Sequence, residues 1–171
     1  LDPDEVEAVK ARYPELRAEA RQMSIATGSR VPRTDRSALE PDPTERTALY
    51  EEAWERGGLT FLGTFNDLLL SPEANETAAE FVRGKIRQLV GDPDVAERLT
   101  PDQVIGCKRL CVDTGYYATF DRPNVRLVDL RTTPIETVTP TGMRLRGDDG
   151  SFEDVALDVI VLATGFDAMT G

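Results

Sequence analysis

The chain has 171 residues, 40% of them apolar and 30% charged, the composition of one ordinary domain with a core and a polar surface. Its 31 acidic against 20 basic residues leave a formal net charge of −11, a field that repels nucleic-acid phosphates and anionic membranes. It contains no histidine, which removes His-based triads and most zinc sites, and no run approaches the roughly 18–20 apolar residues of a membrane span.

The N-terminus, Leu1-Asp2-Pro3-Asp4, is acidic where a signal peptide is basic and then apolar, so a cytoplasmic protein is expected. The first hundred residues carry repeated helix-start signals. Asp2-Pro3, Asp42-Pro43, Ser71-Pro72 and Asp92-Pro93 each set an N-cap side chain before a proline, whose missing N–H costs nothing there. The first helix runs to about Gln22, with Pro14 breaking or kinking it at Tyr13. Gly28, Ser29 and Pro32 mark residues 23–40 as a loop.

The helix from Pro43 places Leu49, Tyr50, Ala53 and Trp54 on one side, with Glu45 positioned for a capping box, and stops at Gly57-Gly58. The helix from Pro72 carries Ala78, Phe81, Val82, Ile86, Leu89 and Val90 as a broad stripe and ends at Gly91. Trp54 reads as core, with a gating role the less favoured alternative. Cys107 and Cys111 stand four apart with too few other ligands for a metal site, and read as buried or neutral thiols.

After about residue 105 the pattern changes to strands. Val125–Asp129 fits a short buried strand. Residues 135–139 and 143–146 alternate on either side of Pro140-Thr141-Gly142, a hairpin signal, and Asp148-Asp149-Gly150 leads into Phe152–Ala156. Val159–Ala163 is uniformly apolar, as in a central strand covered on both faces. Leu1 is not an initiator Met, and the chain stops in a strand-to-turn stretch, so it reads as cut at both ends.

Three stretches carry a family likeness. They are Trp54-Glu55-Arg56-Gly57-Gly58 with Phe61 and Phe65; Gly106-Cys107-Lys108-Arg109 followed by Asp113, Tyr116-Tyr117, Phe120 and Arg122-Pro123-Asn124-Val125; and Asp158 through Ala163-Thr164-Gly165 to Gly171. Together, and in this order, they resemble Baeyer–Villiger flavin monooxygenases of the cyclohexanone and phenylacetone type. A strand ending in Ala-Thr-Gly is shared by many flavoproteins with two dinucleotide-binding domains, whereas the Lys-Arg, Tyr-Tyr, Arg-Pro-Asn-Val series is much narrower. The Gly-x-Gly-x-x-Gly phosphate loops of such enzymes do not occur in the chain.

The resemblance implies an α/β chain: a helical insertion subdomain over residues 1–105, and over 106–171 part of a Rossmann-like FAD/NAD(P)-binding domain with a small β-meander. The second part is the C-terminal half of the NADP domain, ending at the Ala-Thr-Gly hinge. It implies FAD and NADPH as cofactors, a ketone and O2 as substrates, an ester or lactone as product, and the remaining FAD and NADP domain segments as partners.

It gives Arg109 the catalytic role of stabilising the anionic C4a-peroxyflavin and the adduct that follows. An arginine suits this, since it keeps its proton at any working pH. It gives Lys108 the contact to the 2′-phosphate of NADP, and makes Thr164 and Gly165 a hinge beside the cofactor. Leu110 and Val112 become candidate pocket residues, while Tyr116 and Tyr117 read as packing and Asp113 and Asp158 as caps or acceptors. Two rivals stand beside this reading: an N- or sulfur-oxygenating flavoprotein, and a non-catalytic helical binding module.

Overall fold

The computed structural model describes residues 2–22, 34–108, 110–112 and 114–165. The chain divides into two compact units, Leu1–Asp121 and Arg122–Gly171.

The first unit is helical. Helices α1 (Pro3–Ala11) and α2 (Tyr13–Ala20) meet at Arg12, beside the Pro14 that cannot donate to a continuous helix. Helix α3 spans Pro43–Arg56, α4 Pro72–Leu89 and α5 Pro93–Leu99. All four expected caps form: Asp2, Asp42, Ser71 and Asp92 each accept hydrogen bonds from backbone N–H groups of the first turn. The capping box does not form as expected. Glu45 instead accepts from Arg36 Nη1 at 2.7 Å, because the chain before α3 folds back and brings a cation within reach.

Helix α3 ends where Gly57 and Gly58 both take a positive φ, 72° and 67°, and the reversed chain enters a 3-10 turn over Gly58–Gly63. That turn lays Phe61 against Tyr50 with ring centroids 5.3 Å apart, and Phe81 of α4 closes the cluster at 5.7 Å from Phe61. Ala38, Ala53, Phe65, Leu68, Ala74 and Ala78 complete the main core. A smaller core joins Ile86 and Val90 to Ala96 of α5, with Tyr117 packed against it. Asp121 accepts from the backbone N–H of Gly91 at 2.8 Å, tying residue 121 to the end of α4. Residues 106–121 therefore pack with the helices, although their sequence texture places them with the strands that follow.

The second unit is a three-stranded antiparallel meander, β1 (Ile135–Thr139), β2 (Gly142–Arg146) and β3 (Phe152–Ala156), in the order β1-β2-β3. Thr139 pairs with Gly142 across the two-residue Pro140-Thr141 connection, as the turn signal predicts. Leu145 is the buried anchor of this sheet. Two expected strands are absent among the described residues. Residues 125–129 and 159–163 have no ladder partner, and Val159, Val161 and Leu162 are exposed. An apolar run becomes a central strand only when other strands satisfy its backbone and other side chains cover both faces. Nothing described in this unit does either.

Candidate functional site

A cavity of about 540 Å³ lies within the helical unit. One wall is the C-terminal end of α3 with the glycine turn after it: Ala53, Trp54, Gly57, Gly58 and Leu59. Phe61 and, from α4, Val82 and Leu89 form the floor. The other wall is the segment from Pro101 to Ala118, which contributes Ile105, Gly106, Lys108, Leu110, Cys111, Val112 and Tyr117. Three of the residues singled out by sequence, Lys108, Leu110 and Val112, thus share one cavity.

This wall is strapped to α4. Arg83 donates from Nε to the carbonyl of Pro101 at 3.1 Å, and its Nη1 is held by Glu76 at 2.6 Å. Nearer the N-terminus of the same helix, the buried Asn75 side chain binds both polar backbone groups of Ile105. The carbonyl of Val104 accepts from the N–H of Cys107 at 3.3 Å, closing a four-residue turn whose third residue, Gly106, has φ +86°. A glycine with positive φ at that place is the type II pattern. The turn hands the chain directly to Lys108.

Lys108 is exposed. Of the chain's three lysines, Lys10 pairs with Glu7 at 2.8 Å and Lys85 pairs with Glu51. Among the described residues, Lys108 has no carboxylate within ion-pair distance. A solvated ammonium of that kind, at the rim of an apolar cavity, can accept a phosphate without first losing another partner. Arg109 and Asp113, the expected catalytic arginine and a candidate cap, lie outside the described residues.

Trp54 is half-buried, edge-on to Phe81 with centroids 6.1 Å apart, and forms part of the cavity wall. Tyr116 and Tyr117 do pack, edge to face at 5.2 Å, with Phe120 5.3 Å from Tyr116. Both cysteines are exposed thiols outside any disulfide, not buried ones. No group of metal-ligating side chains exists among the described residues.

Thr164 and Gly165 belong to the second unit. Gly165 has φ +86° and open space where a Cβ would stand, which lets another molecule approach the backbone closely. Asp158 is exposed nearby in sequence. The residue that sequence reasoning missed is Asn75. Its signal was present: positions 75, 78, 79, 82 and 86 form one helical stripe, and Asn75 is its polar member.

No family model matches the chain. It is 40% identical over 164 residues to a Baeyer–Villiger monooxygenase of Pseudooceanicola batsensis, covering 95% of this chain and 29% of that protein. It is 39% identical over 137 residues to phenazine N-monooxygenase PhzNO1 of Lysobacter antibioticus, covering 79% of this chain and 24% of that protein. Among solved structures, an oxidized steroid monooxygenase bound to NADP superposes with a TM-score of 0.84 at 47% identity, over 99% of this chain and 31% of that one. A complex of OTEMO with FAD and NADP superposes at 0.88 and 38% identity, over all of this chain and 31% of that one. The chain spans about 30% of the length of the relatives it matches. Over that span, it belongs to the Baeyer–Villiger monooxygenases.

Proposed function

We propose that the chain is an internal part of a longer FAD- and NADPH-dependent monooxygenase that converts a ketone and O2 to an ester or lactone. The observation that carries this reading is the cavity wall on which Lys108, without a carboxylate partner among the described residues, stands beside Leu110 and Val112. Residues 1–105 correspond to a helical insertion and 106–171 to the second half of an NADP-binding domain. In the longer protein Val159–Ala163 supplies a strand, and segments outside the chain cover it.

The residues present fit the two cofactors separately, one in each unit. Lys108 of the first unit suits the 2′-phosphate of NADPH, and in the second unit the open backbone at Thr164-Gly165 suits a hinge that a flavin approaches closely. Bound FAD and NADPH supply oxygen activation and reducing equivalents. This chain's residues bind and position. Lys108 selects the phosphorylated nucleotide, and Leu110 and Val112 offer the ketone apolar surface and keep water out. Arg109 holds a permanent positive charge for the negative charge that develops on oxygen during insertion. The acidic field argues against nucleic-acid partners, and no helix among the described residues is long and apolar enough to cross a membrane. Two exposed thiols outside any disulfide suit the reducing cytoplasm.

The similarity to a phenazine N-monooxygenase favours one alternative, oxygen transfer to nitrogen on the same scaffold. The deciding experiment uses the full-length enzyme with Arg109→Ala. Flavin stays bound, ester formation falls by about 10²–10³ or more, and NADPH oxidation continues with oxygen released as hydrogen peroxide. Arg109→Lys does not restore the ester, because an ammonium is shorter and gives up a proton more readily. Ester yield near that of the parent in Arg109→Ala removes the arginine from the mechanism. N-oxide formation in place of ester by the unmodified enzyme selects the alternative.

A further inference from the structure

Asn75 is 4% exposed, the one buried polar residue among the described residues, and all its hydrogen bonds go to backbone. Its Nδ2 donates to the carbonyl of Leu68 at 2.7 Å and to that of Ile105 at 2.9 Å. Its Oδ1 accepts from the N–H of Ile105 at 3.1 Å. Both donors of the amide are used, and the pair with Ile105 repeats the two-bond pairing of neighbouring peptide groups. Ile105 is the second residue of the Val104–Cys107 turn, and Lys108 follows that turn directly. Gly106 at φ +86° lets the chain take this turn without steric cost, and its permissive backbone leaves the placement of the turn to what holds it.

We infer that Asn75 is a positioning residue for Lys108: it clamps the turn that carries the lysine onto α4, and so fixes where the ammonium meets the nucleotide phosphate. The inference rests on the reading of Lys108 as the phosphate contact. A helix of 18 residues is a rigid mount, and a two-point grip on both polar backbone groups of one residue sets both the position and the rotation of the turn. A buried leucine at position 75 would pack against the turn without defining either. Truncation to alanine leaves the N–H and carbonyl of Ile105 and the carbonyl of Leu68 without these partners, and the turn is free to shift along the helix.

The test is made in the full-length flavin-loaded enzyme, comparing kcat/KM for NADPH with that for NADH. Lys108→Ala defines the loss of preference when the contact is absent. Asn75→Ala reduces the NADPH preference by about tenfold, the lower range for one charged hydrogen bond, and raises KM for NADPH more than it lowers kcat. Asn75→Asp, which keeps the size and the acceptor but not the donors, shifts the preference in the same direction and serves if the alanine variant does not hold flavin. Thr77→Val, also on α4 but away from the turn, lowers the melting temperature and leaves the preference unchanged. If Lys108→Ala itself leaves the preference intact, the underlying reading of the lysine fails. If Lys108→Ala abolishes the preference while the Asn75 variants lose only thermal stability, or both lose flavin, Asn75 is a folding residue and the inference is overturned.

Discussion

The phenol of Tyr50 on α3 lies 2.7 Å from the hydroxyl of Thr77 on α4. Thr77 Oγ1 is also 2.7 Å from the carbonyl of Ala74, to which it donates its single proton, so Tyr50 is the donor between the two hydroxyls. Tyr50 is 1% exposed and sits among Phe61, Phe65 and Phe81, all with ring centroids 5.3 Å away. The two substitutions that break this bond should differ. Thr77→Val leaves a buried phenol without an acceptor and costs about 1–3 kcal/mol. Tyr50→Phe removes the donor and leaves Thr77 satisfied by Ala74, costing about 0.5–1.5 kcal/mol. In urea unfolding of the three variants, the double substitution should cost less than the sum. Strict additivity would show that the hydroxyls do not interact.

The same tyrosine predicts an alkaline limit. Burial pushes the Tyr50 phenol above its ordinary value, with the Thr77 hydrogen bond opposing it. Its folded pKa is raised, so its contribution is fully present below the unfolded pKa of about 10 and is lost as pH rises through the folded value. Absorbance titration near 295 nm should show one of the four tyrosines ionising late, and that step should vanish in Tyr50→Phe. Four tyrosines titrating together near the ordinary value would contradict the burial argument.

Gly142 is the tightest point of the meander. It has φ +154°, and a Cβ there would overlap the carbonyl of Val155 on the neighbouring strand. Backbone on both sides is fixed by the ladder, so neither partner can yield. Gly142→Ala should destabilise the sheet unit by about 3 kcal/mol, the upper end for ordinary single substitutions. Gly150→Ala meets only the strain of φ +79°, with open space around it, and should cost about 1–2 kcal/mol. Loss of sheet amide protection, read by hydrogen exchange, separates the two. Equal effects would mean that dihedral strain alone decides.

Across the face of the same sheet, Arg144 grips Asp154 through Nε at 2.6 Å and Nη2 at 2.8 Å. The Arg144 hydrogen bond holds the Asp154 carboxyl below its ordinary value, against an opposing desolvation effect. A depressed folded pKa means that the stabilisation is present above the unfolded pKa of about 4 and disappears as pH falls through the folded one. Asp154→Asn should therefore weaken the sheet at neutral pH and match the parent in strong acid. The pair is exposed, so about 1 M salt should narrow the neutral-pH difference. A difference that persists unchanged at low pH would assign the effect to packing.

Lys108→Ala in the full-length enzyme should weaken NADPH and spare NADH. One charge-assisted hydrogen bond to a 2′-phosphate is worth roughly 1.5–3 kcal/mol, or about 10- to 100-fold in the ratio of KM values. Equal losses for the two nucleotides would leave the lysine as part of the fold alone.

Helix starts and the meander were legible in the chain because their causes are local. An Asp or Ser before a proline caps a helix wherever it occurs, and Pro140-Thr141-Gly142 bends whatever strands flank it. The Lys-Arg motif was legible as a pattern, and Lys108, Leu110 and Val112 do line one cavity. Tertiary structure alone decided the rest. Glu45 left its capping box because Arg36, nine residues away, was folded against it. Residues 105–121 joined the helices through the hydrogen bonds of Ile105 to Asn75 and of Asp121 to Gly91, each made across 30 residues of sequence, and through the packing of Tyr117, which no local propensity encodes. Val159–Ala163 has the composition of a central strand, but a strand is a relation between segments, and its ladder and cover must come from elsewhere. Asn75 looked like one polar break in an apolar stripe until the turn it holds was folded onto it.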